Sequence, residues 1–377
     1  MASKSSVTVG GVRIGGGAPV VVQSMTLTKT HDVPATTAQI AALASAGCEI
    51  VRVAVPKLED AEALAKIVRL SPVPIIADIH FNASLALRAI EAGVAAVRIN
   101  PGNIGGPDKV AEVVAAAKKV NMPMRIGANG GSLPKHLEEL AQEDQAAALV
   151  EAALEEVRLL EQLDYRNFKI SVKSSHVPTM IRAYRILASK VPYPLHLGVT
   201  EAGPPATGSI KSAIGLGALL ADGIGDTIRV SLTADPVEEV KVAWEILKSL
   251  GLRERGPILI ACPSCGRDNV GVQTLAEEVE VRLREYPEHF EVAVLGCAVN
   301  GPGESGDADF GIAGGRETGF IYAHGKVLRK VESDVLVAEL FNEIDAWIAA
   351  GMQRPERRKH AKPAALAMAE ASAIPLE

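Results

Sequence analysis

Between Pro19 and Leu250, short apolar runs alternate with longer segments whose apolar residues recur at helical spacing. The runs are Val20–Ser24, Ile50–Val53, Pro74–Ile79, Ala96–Ile99, Met124–Gly127, Phe168–Val172, Leu195–Gly198 and Thr227–Ser231. Their length and near-continuous hydrophobicity predict strands buried on both faces. Thr37–Ala46, Leu58–Leu70, Ala83–Ala92, Glu138–Leu163 and Pro236–Leu250 carry the period of amphipathic helices. Eight strand–helix units over roughly 230 residues match a (β/α)8 TIM-type barrel in size and order. An open doubly wound sheet is the alternative, but no early G-x-G-x-x-G turn marks a dinucleotide site.

The alternation stops at Gly251, and the polar link Leu252–Gly256 leads into a different pattern. There a strand at Pro257–Ile260 precedes a helix at Thr274–Glu285 and a strand at Val292–Leu295. A short hairpin of Phe310–Ala313 and Gly319–Tyr322 and a closing helix at Asp334–Ala349 follow. The expected organisation is a barrel domain over 1–250, a smaller α+β domain over 257–350 and a loose tail over 351–377.

Composition narrows the function. A formal charge of −6 and only 3% aromatic residues give neither a basic patch nor a stacking platform for nucleic acid. The N-terminal residues lack the apolar core of a signal peptide, and Ala213–Ala221 is too short to span a bilayer, so a cytoplasmic protein is expected.

The barrel reading puts cations in a telling place. Arg52, Arg98, Arg125, Lys173 and Arg229 each fall in, or at the C-terminal end of, a predicted strand. A closed barrel gathers those ends around one mouth, where active sites of this fold lie. Burying several cations together is costly unless an anion joins them, and guanidinium groups suit phosphate oxygens. The alternative is neutralisation by Asp78, Glu201 or other carboxylates. Asn100, Asn129, His196 and Ser231 share the strand ends and add neutral donors. The Gly-rich stretch Thr200–Ser209 follows the seventh strand, where barrel loops often cradle phosphate.

Three of the four cysteines lie in Cys262-Pro-Ser-Cys265 and in Gly296-Cys297-Ala-Val-Asn-Gly-Pro-Gly-Glu304. Each pocket follows an apolar run and then turns at Pro or Gly, exposing backbone N–H groups that suit cluster sulfides. The fourth, Cys48, reads as a small buried hydrophobe. An iron–sulfur centre would take its fourth ligand from an oxygen or nitrogen donor, and Glu304 is the nearest candidate, a weak and exchangeable one. A structural zinc completed by His289 or His324 is the alternative.

Several motifs in order resemble one family. They are Val22–Met25, Ala77–Phe81, Arg98–Gly105, Leu195–Gly203, Lys211–Gly217, Arg229–Leu232, Cys262–Cys265 and Gly296–Glu304. The family is 4-hydroxy-3-methylbut-2-en-1-yl diphosphate synthase in its compact bacterial form, and the likeness runs from Val7 to about Ala349. Pro204-Pro205 departs from the small residues expected after Thr-Glu-Ala-Gly. The resemblance implies a 4Fe–4S cluster on Cys262, Cys265, Cys297 and Glu304, and a diphosphate site of Arg52, Arg98, Arg125, Lys173, Arg229 and Ser231. It further implies reductive ring opening and dehydration of 2-C-methyl-D-erythritol 2,4-cyclodiphosphate in isoprenoid precursor biosynthesis. A flavodoxin or ferredoxin would deliver two electrons, with Glu201 the candidate acid for the departing hydroxyl. The implied assembly is a head-to-tail homodimer. Two rival expectations are a sugar-phosphate barrel enzyme with a zinc module, and a non-catalytic iron–sulfur sensor.

Overall fold

The computed structural model describes residues 3–354 apart from 103, 132, 266, 267, 269, 298–307 and 316. Most of the expected tail, from 355 on, lies outside the described residues, as does Glu304.

The chain opens with a hairpin that the apolar pattern did not suggest, β1 (Ser6–Val9) and β2 (Val12–Gly15), paired antiparallel. It turns on Gly10 and Gly11, both at positive φ, and its strands are only four residues each, too short to show a period. Val7, Val9 and Ile14 pack onto Val21, Ile50, Ile76 and Ala96, residues at or near the starts of barrel strands, and so plug the barrel floor.

The eight apolar runs become β3 (Val21–Met25), β4 (Ile50–Ala54), β5 (Ile75–Asp78), β6 (Ala96–Arg98), β7 (Met124–Ile126), β8 (Phe168–Ile170), β9 (His196–Leu197) and β10 (Thr227–Ile228). Each pairs in parallel with its neighbours, β10 joins β3, and a bridge between Ile170 and Leu195 closes the ring. The expected closed barrel is therefore the observed one.

The outer helices are α1 (Val33–Ser45), α2 (Leu58–Leu70), α3 (Ala83–Glu91), α4 (Pro107–Lys119), α5 (Glu138–Glu143), α6 (Gln145–Gln162), α7 (Val177–Lys190), α8 (Pro205–Ala221) and α9 (Pro236–Ser249). The single helix expected over Glu138–Leu163 is broken at Asp144, whose carboxylate caps α6 at the Ala147 amide and pairs with Arg182. Pro205 occupies the first turn of α8, where a missing N–H costs nothing, so Thr207–Ser209 are helical rather than loop. The helices and strands share one apolar core in which Ile40, Leu64, Val97, Phe168, Tyr184 and Leu247 are fully buried.

A second compact unit begins at Glu254. It contains β11 (Ile258–Ala261), α10 (Val272–Leu283), β12 (Glu291–Leu295), β13 (Phe310–Ala313), β14 (Thr318–Ala323), β15 (Lys326–Glu332) and α11 (Leu336–Ala349). The sheet runs in that order, parallel from β11 to β13 and antiparallel thereafter. Strand β15 was not expected: its sequence, KVLRKVE, is mostly exposed, and its charges mark a sheet edge. Phe290, Phe310, Phe341 and Ile344 form the core of this unit. Among the described residues no helix is long and apolar enough to cross a membrane.

Candidate functional site

Strand register brings the cations together. Asp78 on β5 stands beside Arg98 on β6, Arg98 beside Arg125 on β7, and Met25 on β3 beside Arg52 on β4. Lys173 and Asn129 meet in a bridge just beyond β8 and β7. Arg229 follows β10 directly, its amide donating to the Leu197 carbonyl at 3.1 Å. Gly198 keeps this crossing open, because a Cβ there would lie 2.7 Å from Lys173 Nζ. Gly127, at φ 144°, is equally constrained: its Cβ would strike the Ser171 carbonyl.

The carboxylate alternative holds for part of the cluster. Asp78 takes Arg52 Nε at 3.3 Å and Arg98 Nη1 at 3.1 Å, and Glu239 pairs with Arg229 Nη2 at 3.5 Å. Burial opposes the charge on Asp78, but Arg52, a hydrogen bond from His80 and Arg98 outweigh it and hold the carboxyl well below its usual range. Burial, despite Asp78, pulls Arg52 down to about 10. Arg125 donates to Ser171 Oγ at 2.6 and 3.1 Å and, like Lys173, has no carboxylate partner among the described residues. Burial and then the neighbouring arginines press Lys173 well below an ordinary lysine. Among the described residues, then, five cations at one barrel mouth form ion pairs with only two carboxylates, Asp78 and Glu239, an arrangement that favours a multiply charged anion.

His196 is fully buried, and neither ring nitrogen has a partner among the described residues. Burial, followed by Arg125 and Lys173, holds it well below the usual histidine range, so it is a neutral donor or acceptor. Asn100, Asn129 and Ser231 are half-buried at the expected strand ends. The Asn100 side chain accepts from the Gly102 amide. Glu201 is exposed on the loop after β9 with φ 53°, a left-handed conformation that is strained for glutamate and is concentrated at functional sites. A mostly apolar cavity of about 410 Å3 lies beside this mouth, lined by Asn100, Ala128, Leu133, His136, Glu156 and Leu159. Burial pushes the Glu156 carboxyl up to about 8.

Met25, Ser171 and Glu239 escaped the sequence reading. Met25 reads as an apolar strand end, yet its Sδ accepts from Arg52 Nη2 at 3.1 Å and faces Arg229.

In the second unit, Cys262 follows β11 and Cys297 follows β12, so they end neighbouring parallel strands. Gly296 N–H donates to Cys262 Sγ at 3.2 Å, a backbone amide contact of the kind that surrounds metal-bound sulfur. The Cys262–Cys265 turn is shaped by Ser264 at φ 31°, and Ser264 Oγ donates to Asp268, which caps α10 at the Val272 amide. The zinc alternative fails on topology. His289 precedes β12, and His324 lies beside Asp309 before β13, so both sit at the opposite end of the sheet from the cysteines. Soft sulfur donors with a backbone amide directed at one of them fit an iron–sulfur group.

These features define a class: a (β/α)8 barrel whose mouth gathers five cationic side chains, in a chain whose second unit carries three cysteines. The description of the GcpE TIM-barrel domain matches residues 4–244, and that of the GcpE C-terminal domain matches residues 258–346. A 4-hydroxy-3-methylbut-2-en-1-yl diphosphate synthase (flavodoxin) of Maridesulfovibrio salexigens is 57% identical over 341 residues, 90% of this chain and 95% of the relative. The enzymes of that name from Geobacter sulfurreducens and Clostridium perfringens are 55% and 54% identical, each over 90% of this chain and 97% of its own. The chain belongs to the GcpE family, the 4-hydroxy-3-methylbut-2-en-1-yl diphosphate synthases, and is an oxidoreductase of isoprenoid precursor synthesis.

Proposed function

We propose that the barrel mouth binds 2-C-methyl-D-erythritol 2,4-cyclodiphosphate through Arg52, Arg98, Arg125, Lys173, Arg229 and Ser231, and that a 4Fe–4S cluster is held by Cys262, Cys265, Cys297 and Glu304. The excess of cations over carboxylates at the strand ends carries the reading of the anion site. Such a cluster, when bound, supplies electrons one at a time, and the flavodoxin in the relatives' names is the corresponding donor. The reaction breaks the ring C–O bond to phosphate and releases one hydroxyl as water, giving (E)-4-hydroxy-3-methylbut-2-enyl diphosphate. Counted on neutral acids, it consumes two electrons and two protons.

The residues divide this work. Arg125 and Lys173, which lack carboxylate partners, neutralise the diphosphate, and Asp78 fixes the donors of Arg52 and Arg98. Asn100, Asn129 and neutral His196 supply hydrogen bonds without adding charge. Glu201 gives its proton to the departing hydroxyl oxygen. Iron and sulfide analysis of anaerobically purified protein should find about four irons per chain with a broad visible band. Turnover of the cyclic diphosphate with a reduced flavodoxin should follow. Zinc in place of iron, or a cluster without turnover, would reject this reading.

The same reading includes a head-to-tail pair of chains. Helix α9 returns the chain to the floor side of its barrel, and only about seven residues, at most roughly 25 Å, lead to the next domain. A second copy can supply the thiolates without exhausting that link. Mixing inactive Cys297→Ser and Arg125→Ala variants under subunit exchange should restore about a quarter of wild-type activity, because half of random pairs hold one intact site. Verified exchange without recovery would assign each chain its own cluster.

A further inference from the structure

We propose that Glu239 is a positioning residue of the anion site, fixing the Arg229 guanidinium and the segment through Leu232. This rests on the reading above, in which Arg229 binds the diphosphate. Glu239 lies in the first turn of α9, only 3% exposed, and reaches inward rather than to solvent. Its Oε2 accepts from Ser24 Oγ at 3.1 Å and pairs with Arg229 Nη2 at 3.5 Å. Its Oε1 accepts from the Leu232 amide at 3.0 Å. One carboxylate thus ties β3, the residues after β10 and the start of α9 across the seam where β3 and β10 pair.

Arg229 needs such an anchor. Its other contact is a long one to Met25 Sδ at 3.9 Å, and its Nε is buried without a partner among the described residues. Arg52 and Arg229 approach the same Met25 sulfur from either side of β3, and their like charges repel. Without Glu239, that repulsion would drive the flexible side chain outward. The carboxylate holds one edge of the guanidinium and leaves the remaining donors for a ligand.

Charge and geometry predict opposite results, which makes the test decisive. Removing a negative charge beside the mouth raises the positive potential and by itself tightens anion binding. Loss of affinity must therefore come from lost positioning.

Calorimetry of the full chain with 2-C-methyl-D-erythritol 2,4-cyclodiphosphate should show Glu239→Gln binding roughly tenfold more weakly, and Arg229→Met about 10- to 100-fold more weakly. The double variant should match Arg229→Met within about twofold, because the two residues act as one unit. In turnover the loss should appear in KM, whereas a merely structural defect lowers the active fraction and hence kcat. Should Glu239→Gln not fold, Glu239→Asp, which withdraws the carboxylate by one methylene, carries the same expectation.

Unchanged or tighter binding by the Glu239 variant, or additive losses in the double variant, would overturn the positioning role while leaving the anion site intact. Normal binding by Arg229→Met would instead overturn the placement of the anion site and the proposal with it.

Discussion

Cys262→Ala should abolish turnover and the visible iron–sulfur band while the barrel still binds the cyclic diphosphate with near-normal affinity. The sulfur sits just after β11 and accepts the Gly296 N–H, so its loss removes both the proposed ligand and a hydrogen bond to the turn after β12. The chain holds no spare thiol to replace it. Cys48 is buried beneath the barrel helices, lies 3.1 Å from the Ile50 carbonyl and is pushed up to about 12, chiefly by burial. A thiol of that kind is inert as a ligand. Iron content, absorption and calorimetry read the outcome together. A variant that keeps its iron would show that Cys262 is not a cluster ligand, and one that loses substrate binding along with the iron would show that the barrel does not bind the cyclic diphosphate by itself.

Arg125→Met should give the opposite phenotype: a full complement of iron, binding weakened by about 10- to 100-fold, and a more stable fold. Arg125 is 3% exposed, held among the described residues only by Ser171 Oγ, and burial followed by Arg52 and Arg98 presses it well below an ordinary arginine. An apolar side chain of similar length removes a buried cation that has no carboxylate partner among the described residues. Even whole buried ion pairs can be replaced by apolar residues with no loss or a gain of about 1–4 kcal/mol, and an unpaired cation gives up less attraction when it is removed. Thermal melts and calorimetry decide the matter. A lower melting temperature with unaltered binding would make Arg125 a structural residue. The expected gain in stability at the expense of binding is the usual mark of a functional strain.

The eight barrel strands were legible because they are largely buried on both faces, which leaves a mostly apolar run, broken by a few charged or polar positions, between helical periods. The floor hairpin was not, because four-residue strands turning on glycines show neither period. Asp144 looked like one more solvated position on a long helix, and only its bonds to Ala147 and Arg182 reveal a cap. Strand β15 hid behind charges that suit an edge rather than a core.

In the site, cations at strand ends were conspicuous because arginine rarely enters a buried strand unpaired. Their partners were harder to find. Asp78 lies in a strand and stood out as a possible counter-ion, but Glu239 follows Glu238 at a helix start, where acids ordinarily answer the helix dipole in water. Which of two adjacent glutamates turns inward is decided by α9 packing on β3, a long-range contact that no local pattern encodes. The Cys-x-x-Cys pair was legible by spacing, whereas the exclusion of His289 and His324 needed the order of the strands.

The floor hairpin also sets how close water comes to a buried charge. Val7, Val9 and Ile14 cover Val21, Ile50, Ile76 and Ala96 at the lower ends of the strands. The interior above them is a packed core rather than a channel, and in it Lys169 donates to Gln23 and Thr227. Shortening the chain past Val9 would bare that apolar floor and bring solvent toward the lysine, a cost that falls on the fold rather than on the passage of substrate.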